Sequence, residues 1–365
     1  MLVRVIVFFG HHKVGSSSIQ DHLGRHAPQL AARGILYPAV RDIDADRLLQ
    51  HVSDGRTVQS NPLIVREAHN ALAFAMIADE NGGKRPVFCQ GLAPTRDMFA
   101  TIRRQVQALM PHTLILVSEV FANFSMINPA MIHQLLAGVG ATPTDKVQAI
   151  GLFRRIDEYL VSWHGQRIRF GHKVPPVADL LDHYLGGIHF DYRRLINPWA
   201  EAADELYLLR YQKGKSLTQF LTAAGLTHAI PKGREPKRNP SLHPAFVEIA
   251  RRAQYDLSPD DAQRCVRVLR AASAIMPGLY ANKIEFWEPQ ARERLFREFQ
   301  PQARYLDQQT RQTFFPDLDQ IGICRPIPQR QATKWAVRVL RPMSGLMREK
   351  VMADFLGSFE FETNS

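Results

Sequence analysis

The chain has 365 residues, of which 45% are apolar and 22% charged, so it can bury a sizeable core like an ordinary globular protein. Its formal net charge of +11 predicts an anionic partner: a nucleotide, an acidic glycan, a membrane surface or nucleic acid. Nucleic acid is not expected, because the basic residues are dispersed as short pairs without a helix-turn-helix, zinc-finger or RNA-binding signature.

The chain shows no linker of Pro, Gly and Ser that would divide it. We therefore expect one large domain over residues 1–330, followed by a basic amphipathic tail over residues 331–365. The opening apolar run is too short to span a membrane and lacks a signal-peptide cleavage site, so it predicts a core strand. Cys89, Cys265 and Cys324 form no CxxC pair, which favours free, mostly buried thiols, a cytoplasmic location, no disulfide and no metal.

Strands and helices alternate along the first part of the chain. The β-branched and aromatic runs predict strands at residues 3–9, 113–117, 147–153 and 206–211. Apolar periodicity predicts helices at residues 17–33, 92–110, 157–170 and 217–224. This alternation is typical of an α/β fold with a doubly wound parallel sheet, in which ligands bind at the carboxyl ends of the strands.

Beyond about residue 234 the pattern is mainly helical. Amphipathic segments are expected at residues 244–254, 260–275 and 290–309, and a basic, apolar segment at 331–356 is expected to break at Pro342 and Gly345. The last segment is either a C-terminal helix packed on the domain or a helix that contacts a membrane surface or a partner.

The sequence FGHHKVGSSSIQ follows the first predicted strand and leads into a helix. A strand, a glycine-containing turn and a helix N-terminus form a site for a phosphate group, to which serine hydroxyls add donors. Gly10 and Gly15 have the spacing of the Walker pattern, but Ser16 stands where that pattern requires lysine. The lysine lies inside the turn instead, at Lys13. The alternative is a structural corner in which the serines merely cap the helix.

A second group of anion donors follows the strand at residues 147–153. Arg154 stands at the strand end, and Ser162 follows eight residues later on the next predicted helix. A guanidinium fork and a hydroxyl suit a phosphate monoester.

Together the two motifs resemble those of the sulfotransferases that use 3'-phosphoadenylyl sulfate, in particular the bacterial carbohydrate-type enzymes with a P-loop-like fold. The resemblance implies that the 5'-phosphosulfate binds Lys13, Val14, Gly15, Ser16, Ser17 and Ser18, and that the 3'-phosphate binds Arg154 and Ser162. The family commonly has proline shortly after the arginine, where this chain has Arg155-Ile156.

The same resemblance makes Lys13 the catalytic lysine, which neutralises the leaving phosphate. Glu119 follows the strand at residues 113–117 and is the favoured base for the acceptor hydroxyl; a structural ion pair is its alternative role. His11, His12 and His69 are rival bases, because histidine titrates near neutrality. His12, beside Lys13, is expected to shape the turn or to contact the sulfonate.

The leading hypothesis is a sulfotransferase that acts on a hydroxyl or amine of a carbohydrate or glycolipid. Ser241 and the basic residues 232–238 form either a lid over the nucleotide or a solvated loop. The rival functions are a P-loop kinase or NTPase, which would normally need lysine in place of Ser16, and a noncatalytic basic binding module.

Overall fold

A computed structural model describes residues 4–54, 68–83, 91, 93–187, 189–229, 242–275, 281–346 and 350–359. The chain forms two compact units, each assembled from three stretches of sequence. The first comprises Met1–Arg155, Asp191–Arg238 and Gln302–Phe315, and the second comprises Ile156–Phe190, Asn239–Pro301 and Pro316–Ser365. The sequence-based division into residues 1–330 and 331–365 stays a prediction.

The strands are β1 (Arg4–Gly10), β2 (Ile35–Leu36), β3 (Thr113–Val117), β4 (Lys146–Phe153), β5 (Glu205–Arg210), β6 (Ile284–Glu285) and β7 (Ile327–Pro328). The α-helices are α1 (Ser16–Arg25), α2 (Ala27–Ala31), α3 (Asp42–Ser53), α4 (Ala68–Glu80), α5 (Thr95–Leu109), α6 (Phe124–Ile127), α7 (Ala130–Gly138), α8 (Ile156–Arg169), α9 (Leu181–Leu185), α10 (Tyr192–Ala202), α11 (Ser216–Ala223), α12 (Val247–Asp256), α13 (Pro259–Ile275), α14 (Pro289–Thr310), α15 (Gln329–Leu346) and α16 (Lys350–Gly357).

The first unit contains a five-stranded sheet in the order β2-β3-β1-β4-β5. All its neighbouring strands are parallel. Strands β1 and β3 and nearly all of β4 are buried, as expected of central strands covered on both faces, whereas the edge strand β5 is mostly half-exposed. The predicted α/β fold with a parallel sheet is confirmed.

The strand order brings three strand ends together. From β1 the chain continues to β2 and β3 on one side of the sheet, and then to β4 and β5 on the other. The register pairs Phe8 with Val117 and Gly10 with Leu152, so β1, β3 and β4 end at the same edge. Ligands of parallel sheets bind where the strand order reverses, and here that point is the carboxyl end of β1.

Proline positions explain where the helices differ from expectation. The helix predicted at residues 17–33 is divided into α1 and α2 at His26, because Pro28 has no N–H with which to continue the first helix. The prediction of a break at Pro342 and Gly345 was wrong, because α15 runs through both residues to Leu346. Its apolar side is buried as far as Leu340, and this burial compensates for the hydrogen bond that Pro342 cannot make.

The second unit is mainly helical, with β6 and β7 as a short parallel pair. Within it the buried Arg292 guanidinium lies 2.6 Å from the Glu285 carboxylate and 3.6 Å from that of Asp157. Helices α15 and α16 contact each other, and Arg341 donates hydrogen bonds to the carbonyls of Leu356, Gly357 and Phe359. None of the described helices combines the length and apolarity needed to cross a membrane.

Candidate functional site

The turn between β1 and α1 has an unusual backbone. Gly10, Lys13 and Gly15 all have positive φ, at 136°, 63° and 88°. A β-carbon on Gly10 would lie 2.5 Å from the Leu152 carbonyl oxygen, and one on Gly15 would lie 2.6 Å from Ser216 Oγ. Both positions therefore require glycine, because a β-carbon would clash there and because glycine adopts a positive φ without strain. Lys13 has a β-carbon in the left-handed region, and such strain is concentrated at functional sites.

Helix α1 begins directly after this turn, with Gly15 as its N-cap. Because the N-cap is glycine, it supplies no side-chain cap, and the first turn contains no acidic residue. Ser16, Ser17 and Ser18 form the first turn of the helix and do not occupy its N-cap position. The first N–H groups of a helix have no partner inside it and carry partial positive charge; here the N–H of Ser18 is an exception, since it donates to the Gly15 carbonyl at 2.9 Å. Ser16 is buried and Ser17 and Ser18 are half-buried, while the Val14 side chain belongs to the core.

Glu119 begins a 3-10 turn, Glu119–Asn123, at the end of β3. Its Oε1 atom lies 3.8 Å from Nδ1 of His12, and its side chain is only 13% exposed. Burial by itself would raise the pKa of this carboxyl, but the His12 ring and the Ser16 hydroxyl outweigh it and lower the pKa. Within the described chain, the buried Oε2 atom has no hydrogen-bond partner. A buried polar atom without a hydrogen-bond partner requires an explanation, such as a catalytic role.

His11 and Arg154 join the ends of β1 and β4. The backbone N–H of Arg154 donates to Nδ1 of His11 at 3.4 Å, and its carbonyl accepts a 2.7 Å hydrogen bond from the Tyr192 hydroxyl. The Arg154 guanidinium lies over the Tyr211 ring, 5.2 Å from the centroid. His11 is buried, and its ring makes edge-to-face contacts with Phe153 and Tyr192. These contacts indicate that His11 packs the ends of β1 and β4 against each other.

His69 is a structural residue. It lies on α4 and is fully buried, and both ring nitrogens are hydrogen-bonded to the backbone: Nδ1 accepts from the N–H of Val117, and Nε2 bonds to the Pro38 carbonyl. Burial lowers its pKa to about 4, so the ring is neutral near pH 7. With both nitrogens occupied, His69 is not available as a base.

Two sequence-based assignments stay predictions. Ser162 is half-buried on α8 in the second unit, and its cooperation with Arg154 is not tested. Ser241 and the basic residues 232–238 lie outside the described residues.

Sequence reasoning did not identify several residues around the turn. Tyr211 and Ser216 lie just beyond β5, and Tyr192 begins α10. The carboxyl end of β5 was a signal for the first two, because ligand-contacting residues gather there. Asn70 and Gln20 carried no local signal, since their side chains are hydrogen-bonded to each other across 50 residues of sequence.

No protein-family model matches this chain, and comparisons with curated proteins and with solved structures gave no match. The functional interpretation therefore depends on the geometry and chemistry of the site itself. That site combines a lysine, a helix N-terminus and a buried carboxylate beside a histidine.

Proposed function

We propose that this protein is a sulfotransferase that moves the sulfuryl group of 3'-phosphoadenylyl sulfate to a hydroxyl or amine of a carbohydrate or glycolipid. One observation carries the proposal. The turn that contains Lys13 also contains His12, whose ring lies 3.8 Å from the buried Glu119 carboxylate. A group suited to a leaving phosphate and a group suited to an acceptor proton thus belong to one compact site.

On the donor side, Lys13 and the N–H groups at the start of α1, including that of Ser16, bind the 5'-phosphosulfate, assisted by the Ser17 hydroxyl. A helix N-terminus without acidic residues suits such an anion. Arg154, stacked on Tyr211, binds the 3'-phosphate, and the assignment of Ser162 as a second donor stays a prediction. Nucleotide binding thereby uses the ends of both β1 and β4.

On the acceptor side, Glu119 removes the proton from the attacking hydroxyl. The acceptor oxygen forms a bond to sulfur as the bond between sulfur and the 5'-phosphate oxygen breaks, and 3',5'-adenosine bisphosphate leaves. The proton moves to Glu119, while Lys13 neutralises the negative charge that develops on the leaving phosphate. His12, which precedes Lys13 and faces Glu119, holds the Glu119 carboxylate in place and contacts the sulfonate.

The positive net charge of the chain supports an anionic donor but does not identify the acceptor. A free thiol at the exposed Cys324 fits the proposed cytoplasmic location. Nucleic acid is not a proposed partner, and membrane contact through the C-terminal tail stays a prediction.

The proposal is tested by incubating the protein with sulfur-labelled donor and a panel of oligosaccharides and glycolipids. We expect label to appear on at least one acceptor, and Glu119→Gln to abolish the transfer. Glu201→Gln is the matched control, because Glu201 is an exposed carboxylate on α10. Transfer of the γ-phosphate of ATP by the same preparation, with no sulfuryl transfer, would overturn the proposal in favour of a kinase.

A further inference from the structure

A buried hydrogen-bond network connects three elements of the first unit. The side-chain amide of Gln20, on α1, donates to Oδ1 of Asn70 at 3.0 Å and to the Val117 carbonyl at 2.8 Å. The Ser118 hydroxyl donates to the same Asn70 oxygen at 2.5 Å. Gln20 and Ser118 are fully buried and Asn70 is nearly so. The Asn70 oxygen on α4 therefore joins α1 to the end of β3.

The network ends at the residue that precedes Glu119. Ser118 is the N-cap of the 3-10 turn, and its oxygen accepts a 3.1 Å hydrogen bond from the N–H of Val120. The Ser118 hydroxyl, next to Glu119 in the sequence, thus donates to Asn70 and accepts from the residue that follows Glu119. Side-chain caps of this kind fix the direction in which a chain enters a turn.

We propose that Asn70 is a positioning residue that holds Glu119 in its working orientation and couples it to helix α1. The inference rests on the proposed function, in which Glu119 is the base. Helix α1 begins at the turn that contains Lys13, so one buried network joins the donor-binding helix to the base. Asn70 acts on the reaction through Ser118 and does not contact the substrate.

The groups around Glu119 explain what its displacement would change. His12 faces it from the β1–α1 turn, together with the Ser16 hydroxyl, and both lower its pKa. From α4, the neighbouring His69 is neutral near pH 7. If the turn relaxes, Glu119 moves away from His12 and Ser16 but remains shielded from water. Burial then dominates, and the pKa of Glu119 rises.

The test compares Asn70→Ala with a matched loss of another buried amide. Gln105, on α5, is fully buried and bonds the backbone of Ala39 and Thr101, away from Glu119. Gln105→Ala therefore removes similar hydrogen bonds without touching the network. Ser118→Ala breaks the network from its other side and serves if Asn70→Ala fails to fold.

The first readout does not require activity. Carbon-13 NMR of labelled glutamate carboxyls, with the signal assigned by Glu119→Gln, gives the pKa of Glu119 in the unliganded protein. We expect this pKa to rise in Asn70→Ala and Ser118→Ala, and to stay unchanged in Gln105→Ala. The same pKa in all four proteins would overturn the inference, whether or not the protein transfers sulfate.

The second readout is turnover with the labelled donor. Misplacement of a reacting group by about 1 Å lowers rates by about 100-fold, so we expect Asn70→Ala to lower kcat by about 10- to 100-fold with KM for the donor unchanged. If the wild type transfers sulfate and kcat falls equally in Asn70→Ala and Gln105→Ala, the result contradicts the positioning role but not the proposed function. A wild type without transfer would instead contradict the proposed function.

Discussion

Lys13 is the residue whose position distinguishes this turn from a Walker loop. It stands two residues before Gly15, in the left-handed region with φ of 63°, while Ser16 begins the helix where a Walker lysine would stand. A left-handed backbone costs a residue other than glycine about 1–2 kcal/mol. This cost is consistent with a position determined by function.

Replacing Lys13 by alanine tests that role. We expect Lys13→Ala to lower kcat by about 100- to 1,000-fold, as loss of one group that stabilises developing charge does, and to weaken nucleotide binding far less. Lys146→Ala is the control, because Lys146 is exposed at the start of β4, the opposite end of the strand from the site. Equal turnover of the two variants would contradict the assignment.

The pH dependence of kcat/KM distinguishes Glu119 from His12 as the base. Its lowered pKa keeps Glu119 deprotonated at neutral pH, and the rate falls only as pH falls through that pKa. We therefore expect the acidic limb below pH of about 4.3, the ordinary value for glutamate, measured where the protein remains folded. An acidic limb well above that pH would contradict Glu119 as the base and favour His12 in its place.

Sequence reasoning identified the site residues that carry a local signal. Lys13 and Gly15 belong to one short motif, and Glu119 lies two residues beyond the end of β3. It could not identify Asn70, because that residue meets Ser118 across 48 positions of sequence. It also kept His69 as a rival base, since only the fold shows that the backbone occupies both ring nitrogens.

At the scale of elements, the β1–α1 turn depends on close packing against α11. A β-carbon on Gly15 would meet the Ser216 hydroxyl at 2.6 Å, whereas one on Gly82, at φ of 75°, would meet nothing within 4 Å. Both substitutions to alanine incur the cost of a left-handed backbone. Only the first also forces α1 and α11 apart.

We therefore expect Gly15→Ala to lower the free energy of unfolding more than Gly82→Ala does, by about 1–3 kcal/mol. Denaturant titration measures this difference. Equal losses in the two variants would show that α11 does not constrain the turn.

The longer strands of the five-stranded sheet were predicted more accurately than the helices, for a physical reason. The central strands of a parallel sheet are continuous apolar runs, and the predicted residues 113–117 coincide with β3. Helix ends depend on context: Pro28 separates α1 from α2, whereas Pro342 lies inside α15. Helices α3, α6, α7, α9 and α10 and the two-residue strands β2, β6 and β7 were not predicted, and Pro198 lies within α10.

For the whole molecule, buried histidines make stability depend on pH. Burial is the main cause that lowers the pKa of His22 and His69 to about 4 and that of His164 to about 3. In the unfolded chain these rings regain a pKa near 6.5. The unfolded state then binds more protons below that pH, so stability is complete above about pH 6.5 and is lost as pH falls toward 4.

We expect the thermal midpoint to decrease steadily between pH 6.5 and pH 4, and His69→Gln to make that decrease shallower. His133→Gln, at an exposed position on α7, is the control and should leave the slope unchanged. A midpoint that is constant across this range would contradict the neutral, buried state of these rings.

The central claim concerns which nucleotide the molecule binds, and thermal stabilisation tests it most directly. 3',5'-Adenosine bisphosphate, ATP and GTP are each titrated with and without magnesium. We expect the bisphosphate to stabilise the protein without magnesium, by about 2.7 kcal/mol at about 100 times its Kd, and Arg154→Ala to weaken this effect more than Arg96→Ala, a change at an exposed arginine on α5. Preferential stabilisation by ATP with magnesium, or no response to any of the three nucleotides, would contradict the account.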